Sequence, residues 1–164
     1  MPPFRLQAAV RAGERVLLAL WAGAMWTAGY IAAPLLFARL DDRALAGTLA
    51  GGLFSAVAVL GLACGGLLLA AQLWRHGRHV WRRWRAVLLA AMVAVTLAGE
   101  LGLKPRLAAL REAGLESPAA RAFGRLHGLA SVLFLFNSLG GLVLVAAGPD
   151  QSRGRRSTGG SAGR

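Results

Sequence analysis

Residues 44–74 carry no charged side chain across 31 positions. As an α-helix rising ~1.5 Å per residue the run extends roughly 47 Å, well beyond the ~30 Å hydrocarbon core of a bilayer. Within hydrocarbon a backbone must satisfy its own hydrogen bonds, so the run reads as a membrane-spanning helix that tilts or projects past the core. Composition agrees: 56% of the 164 residues are hydrophobic and 16% charged, too few charges to coat a soluble domain. Those charges gather in short clusters between long apolar runs.

Three further runs have the same character. Residues 16–38 form a 23-residue uncharged stretch behind Arg5, Arg11 and Arg15. The arrangement starts like a signal peptide, but a cleaved apolar region is usually about 7–15 residues long, so this one is expected to stay as the first span. Residues 86–103 and 126–147 supply the third and fourth. The expected fold is therefore all-α: a polytopic membrane protein with a four-transmembrane-helix bundle at 16–147 and spans near 16–38, 45–74, 86–103 and 126–147. A basic segment (1–15) precedes it, and a Gly- and Ser-rich basic tail (148–164) follows it without an apolar run.

Between spans three and four, Leu103, Leu107 and Leu110 line one side of a helical repeat while Lys104, Arg106 and Arg111 lie elsewhere. The pattern predicts a short interfacial helix in the headgroup region, stopped at Gly114. Ser117 and Pro118 then read as a cap and first-turn proline for the fourth helix. Asp41 or Asp42 is placed to cap the second, because a carboxylate accepts from the free amides of a helix start. Pro34 removes a hydrogen bond from the end of the first span and is expected to bend it.

The net charge of +12 raises nucleic acid as a partner, but a nucleic-acid surface interleaves basic and polar residues on one soluble face. Here the basic residues flank apolar spans, where anionic lipid headgroups are the counterions, above all at residues 75–85 with their five arginines. Trp74, Trp81 and Trp84 fit an aromatic belt at that interface. With both ends on one side, that side collects 12 Lys and Arg against 7 on the other, which predicts cytoplasmic termini under the positive-inside rule. Eighteen of the nineteen basic residues are Arg, the bias of a GC-rich bacterial genome, so the expected location is a bacterial inner membrane.

Cys64 is the single cysteine, which excludes an intramolecular disulfide. Gly47/Gly51, Gly61/Gly65 and Gly124/Gly128 form GxxxG pairs, yet 22 glycines supply roughly three such pairs by chance, so close packing within one bundle is the reading. His76 and His79 stand i, i+3 among arginines without a third ligand, a poor setting for a metal. No hydrolase, P-loop or dinucleotide fingerprint is present.

One acidic residue, Glu100, lies inside an apolar run. A charged carboxylate in hydrocarbon costs on the order of 3 kcal/mol, less near the interface, so Glu100 is expected to face the bundle and find a donor. The hairpin joining spans three and four brings His127 and Arg111 to the same membrane face. Phe123, His127 and Ser131 form an i, i+4, i+8 stripe expected to turn the imidazole inward, with Asn137 deeper. The candidate ligand or ion site is thus Glu100 as acceptor, His127 as titratable partner, Arg111 as anion clamp, and Ser131 and Asn137. Pro34, Gly47, Gly51, Pro105 and Phe123 are expected to pack around it.

Two blocks carry a resemblance. The first comprises Leu20, Trp21, Ala22 and Gly23 through Ala33, Pro34, Leu35, Leu36 and Phe37, with Ala46, Gly47, Gly51, Gly52, Leu53 and Phe54. The second comprises Glu100, Pro105, Leu110, Arg111, Phe123, Leu126, His127 and Ser131. In these the chain resembles the transmembrane protein 205-like family, four-span membrane proteins whose molecular function is not established. The resemblance implies the architecture and no activity. The functional expectation is a non-enzymatic membrane protein without a cofactor, binding or passing a small solute or ion at a polar pocket near the non-cytoplasmic face. The alternative is an assembly module, as a homo-oligomer or with another membrane protein, in which Glu100 and His127 are structural. A haem- or metal-linked redox protein ranks third.

Overall fold

The computed structural model describes residues 3–112 and 117–148. Helix α1 (Pro3–Trp26) passes through a π-helical turn (Thr27–Ala32) into α2 (Ala33–Arg39); α3 (Arg43–His76) follows, then a 3-10 turn (Gly77–Arg82). Helix α4 (Trp84–Ala98) likewise passes through a π-helical turn (Gly99–Leu103) into α5 (Lys104–Glu112), and α6 (Ser117–Ala146) ends the described chain. End to end these make four rods: α1–α2, α3, α4–α5 and α6. Among the described residues there is no strand. Each rod contains a stretch long and apolar enough to cross a membrane, so the lipid bilayer is the environment the fold suits.

Consecutive rods pack against each other and the first packs on the fourth, closing a ring. One end of the bundle carries the basic turn; the other, the connector end, carries residues 40–42, the last turn of α5 and the first turn of α6. At the basic end Arg75 of α3 pairs with Glu14 of α1. Arg85 donates to the carbonyls of Gly148 and, at 3.2 Å, Leu144, closing the C-terminus of α6 where free carbonyls and the helix dipole favour a cation. The turn itself is ordered by Gly77, whose φ of +53° stops α3, and by Val80, which is buried. The basic residues 75–85 are thereby tied into the bundle. At the opposite end Asp42 accepts from Ala44 and Leu45 amides at 2.8 and 3.1 Å, the cap its position predicts.

The rods run past the apolar stretches that announced them, because helical hydrogen bonding continues into the charged flanks. Helix α5 continues directly from the third rod. The expected stop at Gly114 and the tail beyond Gly148 lie outside the described residues.

Both π-helical turns precede a proline. Pro34 and Pro105 lack the N–H that would bond back along the helix, and a proline ring collides with the carbonyl four residues earlier, here Tyr30 and Leu101. Widening the preceding turn relieves the collision: the Ala33 amide bonds Ala28 O and the Lys104 amide bonds Gly99 O, each five residues back. At Pro34 the helix changes phase, so Thr27, Tyr30 and Pro34 do not follow one α-helical face.

The core is a glycine-seated cluster. Trp21, Met25, Cys64, Leu68, Leu89, Met92 and Leu144 are buried together. A Cβ at Gly61 would land in the Trp21 indole, and one at Gly65 would meet Val93 and the same ring. Gly140 and Gly141 give similar room to Met92 and Met25. Helices in lipid gain nothing from hiding apolar surface from water, so contact depends on such close approach.

This makes a paired prediction. Gly61→Ala should lower stability by about 1–3 kcal/mol through overpacking. Gly66→Ala, whose methyl meets nothing within 4 Å, should be neutral or slightly stabilising. Thermal unfolding in lipid nanodiscs, followed by tryptophan fluorescence, separates the two; equal responses would remove the glycine seat as the determinant.

Candidate functional site

The inner face of α6 runs through Phe123, Leu126, Ala130, Leu133, Phe134 and Asn137, all buried or half-buried. His127 lies about 100° around the helix from Leu126 and is exposed, as is Ser131. His127 and Ser131 therefore turn outward rather than inward, while Phe123 at the head of the stripe is half-buried. The imidazole stacks on Phe123 at a centroid distance of 5.8 Å and 6° between planes, and Ser131 Oγ donates to His127 O at 2.9 Å.

Glu100 finds its donor within its own rod. Lys104 Nζ stands 2.8 Å from its carboxylate, with the Glu100 side chain 26% exposed. No hydrogen bond or ion pair joins Glu100 to His127 or Arg111 among the described residues. The i, i+4 order of Glu before Lys favours this pair on any helix, so Lys104 was available as a partner in the sequence. Sharing one end of the bundle with His127 and Arg111 does not make either of them its partner.

Arg111 rests on an aromatic ring rather than on an acid. Its guanidinium carbon lies 5.3 Å from the centre of the Phe123 ring, a cation–π arrangement. On α3, a Cβ at Gly47 would stand 3.4 Å from Arg111 Nη2 and 3.9 Å from Phe37 Cζ, so Gly47 leaves the space that both side chains occupy. One arginine of α5 thus meets α3 and α6 over the connector end. No carboxylate pairs with Arg111 among the described residues, and its side chain is exposed. Gly51 is open, with nothing within 4 Å of an added Cβ, and Pro34 and Pro105 face outward.

Deeper in the bundle, Asn137 and Ser138 are the buried polar residues, 7% and 0% exposed. Asn137 Nδ2 donates to Thr96 Oγ1 at 3.0 Å, and Thr96 Oγ1 donates back to Met92 O at 2.9 Å. Ser138 Oγ donates to Phe134 O, and the Trp26 indole N–H to Ser138 O at 3.3 Å. Trp26, Tyr30, Phe134 and Phe54 form a chain of rings just beyond this level, with centroids 4.6, 6.2 and 5.1 Å apart. No sequence periodicity links Thr96 to Asn137, because the two stand on different helices. Among the described residues no group of three or more His, Cys, Asp or Glu stands together as a metal site.

The fold and these side chains define a bundle of four rods, each long and apolar enough to cross a membrane, with a cationic, aromatic-backed cluster at one end and a polar clasp midway along it. The chain belongs to the family described as a domain of unknown function (DUF4149), whose model matches residues 16–116. No curated protein and no solved structure matches the chain. The match takes in Pro34, Gly47, Thr96, Glu100, Pro105 and Arg111; Phe123, His127, Ser131 and Asn137 lie beyond it.

The π-helical turn sets the phase of α5 and hence the aim of Arg111. Pro105→Ala should let that turn relax to α-helix, rotating α5 by about 100°. Spin labels at Thr48→Cys and Arg111→Cys, in a Cys64→Ser background, should give a distance distribution that shifts when Pro105→Ala is added. An unchanged distribution would show that the ring does not set the phase.

Proposed function

We propose that this chain is a small ligand-binding module of the membrane, taking an anionic group at its connector end. The observation that supports it is Arg111: a guanidinium resting on Phe123, given room by Gly47, with its N–H groups directed to no carboxylate among the described residues. Guanidinium donors match the oxygens of a carboxylate or phosphate in a two-point fork, and an aromatic face holds the cation ready. His127 stacks on the same ring and adds an imidazole beside it. Lys104 neutralises Glu100, which leaves the cluster net positive. The packed Trp21, Met25 and Met92 layer at the basic half supports binding over passage.

In this reading the termini and the basic turn face the cytoplasm of a bacterial inner membrane, the turn meets anionic headgroups, and α5 lies along the opposite headgroup layer. The blocks around Pro34 and Glu100 favour placing the chain with transmembrane protein 205-like proteins. A second reading, an assembly module, has its own support. A shallow apolar groove on the lipid-facing side, between the first rod and α3, is lined by small residues including Ala19, Gly23, Ala24 and Ala28, the kind of surface on which membrane helices associate. A strictly monomeric protein in mild detergent would remove it.

Anion binding is tested by thermal unfolding in zwitterionic nanodiscs with inorganic phosphate, and in nanodiscs containing phosphatidylglycerol. A ligand at 100 times its Kd stabilises by about 2.7 kcal/mol, so wild type should show a shift of several degrees that Arg111→Gln abolishes. Response to phosphate alone identifies a soluble anion, and response to the lipid alone a headgroup. No shift in either condition, or an equal shift in Arg111→Gln, would overturn the assignment.

A further inference from the structure

The two halves of the bundle are packed differently. The large, fully buried side chains Trp21, Leu68, Leu89, Met92 and Leu144 belong to the basic half. Toward the connectors the buried apolar residues are alanines: Ala28, Ala33, Ala46 and Ala50. Asn137 sits where these halves meet. It is 7% exposed, and its Oδ1 has no hydrogen-bond partner among the described residues.

That orphan does not depend on how the amide is oriented. Thr96 offers one hydroxyl, and it engages one end of the amide; exchanging Oδ1 and Nδ2 leaves the other end unpartnered instead. An unsatisfied buried polar group is costly, and a hydrocarbon environment provides no compensation. The amide nevertheless has what a water molecule requires, which is two or more polar partners. Oδ1 accepts, the second Nδ2–H donates, and Thr96 Oγ1 retains a lone pair.

The surroundings supply an approach. Thr96, Glu100 and Lys104 follow one another at intervals of four along the third rod, from the clasp to the charged end. Glu100 and Gly99 are half-buried, an added Cβ at Gly99 meets nothing within 4 Å, and the π-helical turn carrying them packs against α6. Pro105 donates no N–H into that turn, so a backbone carbonyl there is spared for another donor.

We propose that the Thr96–Asn137 pair is a hydration site at the centre of the bundle, holding water admitted from the connector end along the seam between the third and fourth rods. The layer of Trp21, Met25 and Met92 is its dry floor. The site makes this half of the protein a one-sided aqueous vestibule within the membrane. It does not rest on Arg111 or on anion binding, and either assignment can fail without the other.

Two measurements on the full chain in nanodiscs test it. Magnetisation transfer from water to the Asn137 side-chain amide should give a cross-peak in wild type; its absence would mean the clasp is sealed, and the proposal would fall. Gly99→Cys, in a Cys64→Ser background, leaves the clasp untouched and should react with a hydrophilic methanethiosulfonate at least tenfold faster than Leu97→Cys on the lipid-facing side. Equal rates would eliminate the route. Asn137→Leu should fold, since it removes the orphan, and should slow labelling at Gly99→Cys severalfold by taking away the group that anchors water. Unchanged labelling in that variant would show that Asn137 does not hold it.

Discussion

Close approach between helices is the constraint on which this structure depends. In a bilayer the lipid tails are as apolar as leucine, so helices are held together by contact and hydrogen bonding. The Trp21 indole lies against two missing side chains, at Gly61 and Gly65. That allows a large ring from the first rod to fill the space beside α3, and Met25 and Met92 settle over Gly141 and Gly140 by the same means. The ring of four rods closes around this layer.

Polar contacts then divide the labour by depth. At the basic end Arg75 with Glu14 ties the second rod to the first, and Arg85 with the last carbonyls of α6 ties the third to the fourth, where water and headgroups can solvate what remains of each charge. At mid-depth the Thr96–Asn137 clasp joins α4 to α6, and the Trp26 indole joins the first rod to α6. At the connector end the links are softer: Arg111 on Phe123, and Phe123 on His127. Stability is thus concentrated in the basic half, while the other half keeps exposed cationic groups and small buried side chains, a distribution suited to ligand or solvent access.

The two prolines give the connector half its particular geometry. Each lies just beyond a π-helical turn, and each turn re-phases the helix that follows. Without the second, Arg111 would project from another side of α5, and Gly47 would have nothing to accommodate. Wide turns of this kind often accompany functional positions because they alter side-chain direction and release backbone groups at once.

The sequence by itself determined the solvent and the elements. Long uncharged runs allow few other homes, and so the four rods, the Asp42 cap and the proline irregularities were legible from residue type and spacing. Glu100 stood out for the same reason, as a charge where charges are expensive. Its partner was legible too, since Lys104 lies one turn away on the same helix. What only the tertiary structure decided was rotation and pairing. A period of 3.6 residues shows which positions share a face, not which face meets a neighbour, and on α6 that choice set Asn137 inward and His127 outward. Which glycines seat Trp21, and that Thr96 answers Asn137, depend on rods brought together from distant parts of the chain. Their separation in sequence carries no record of that contact, because it is made by packing rather than by local hydrogen bonding.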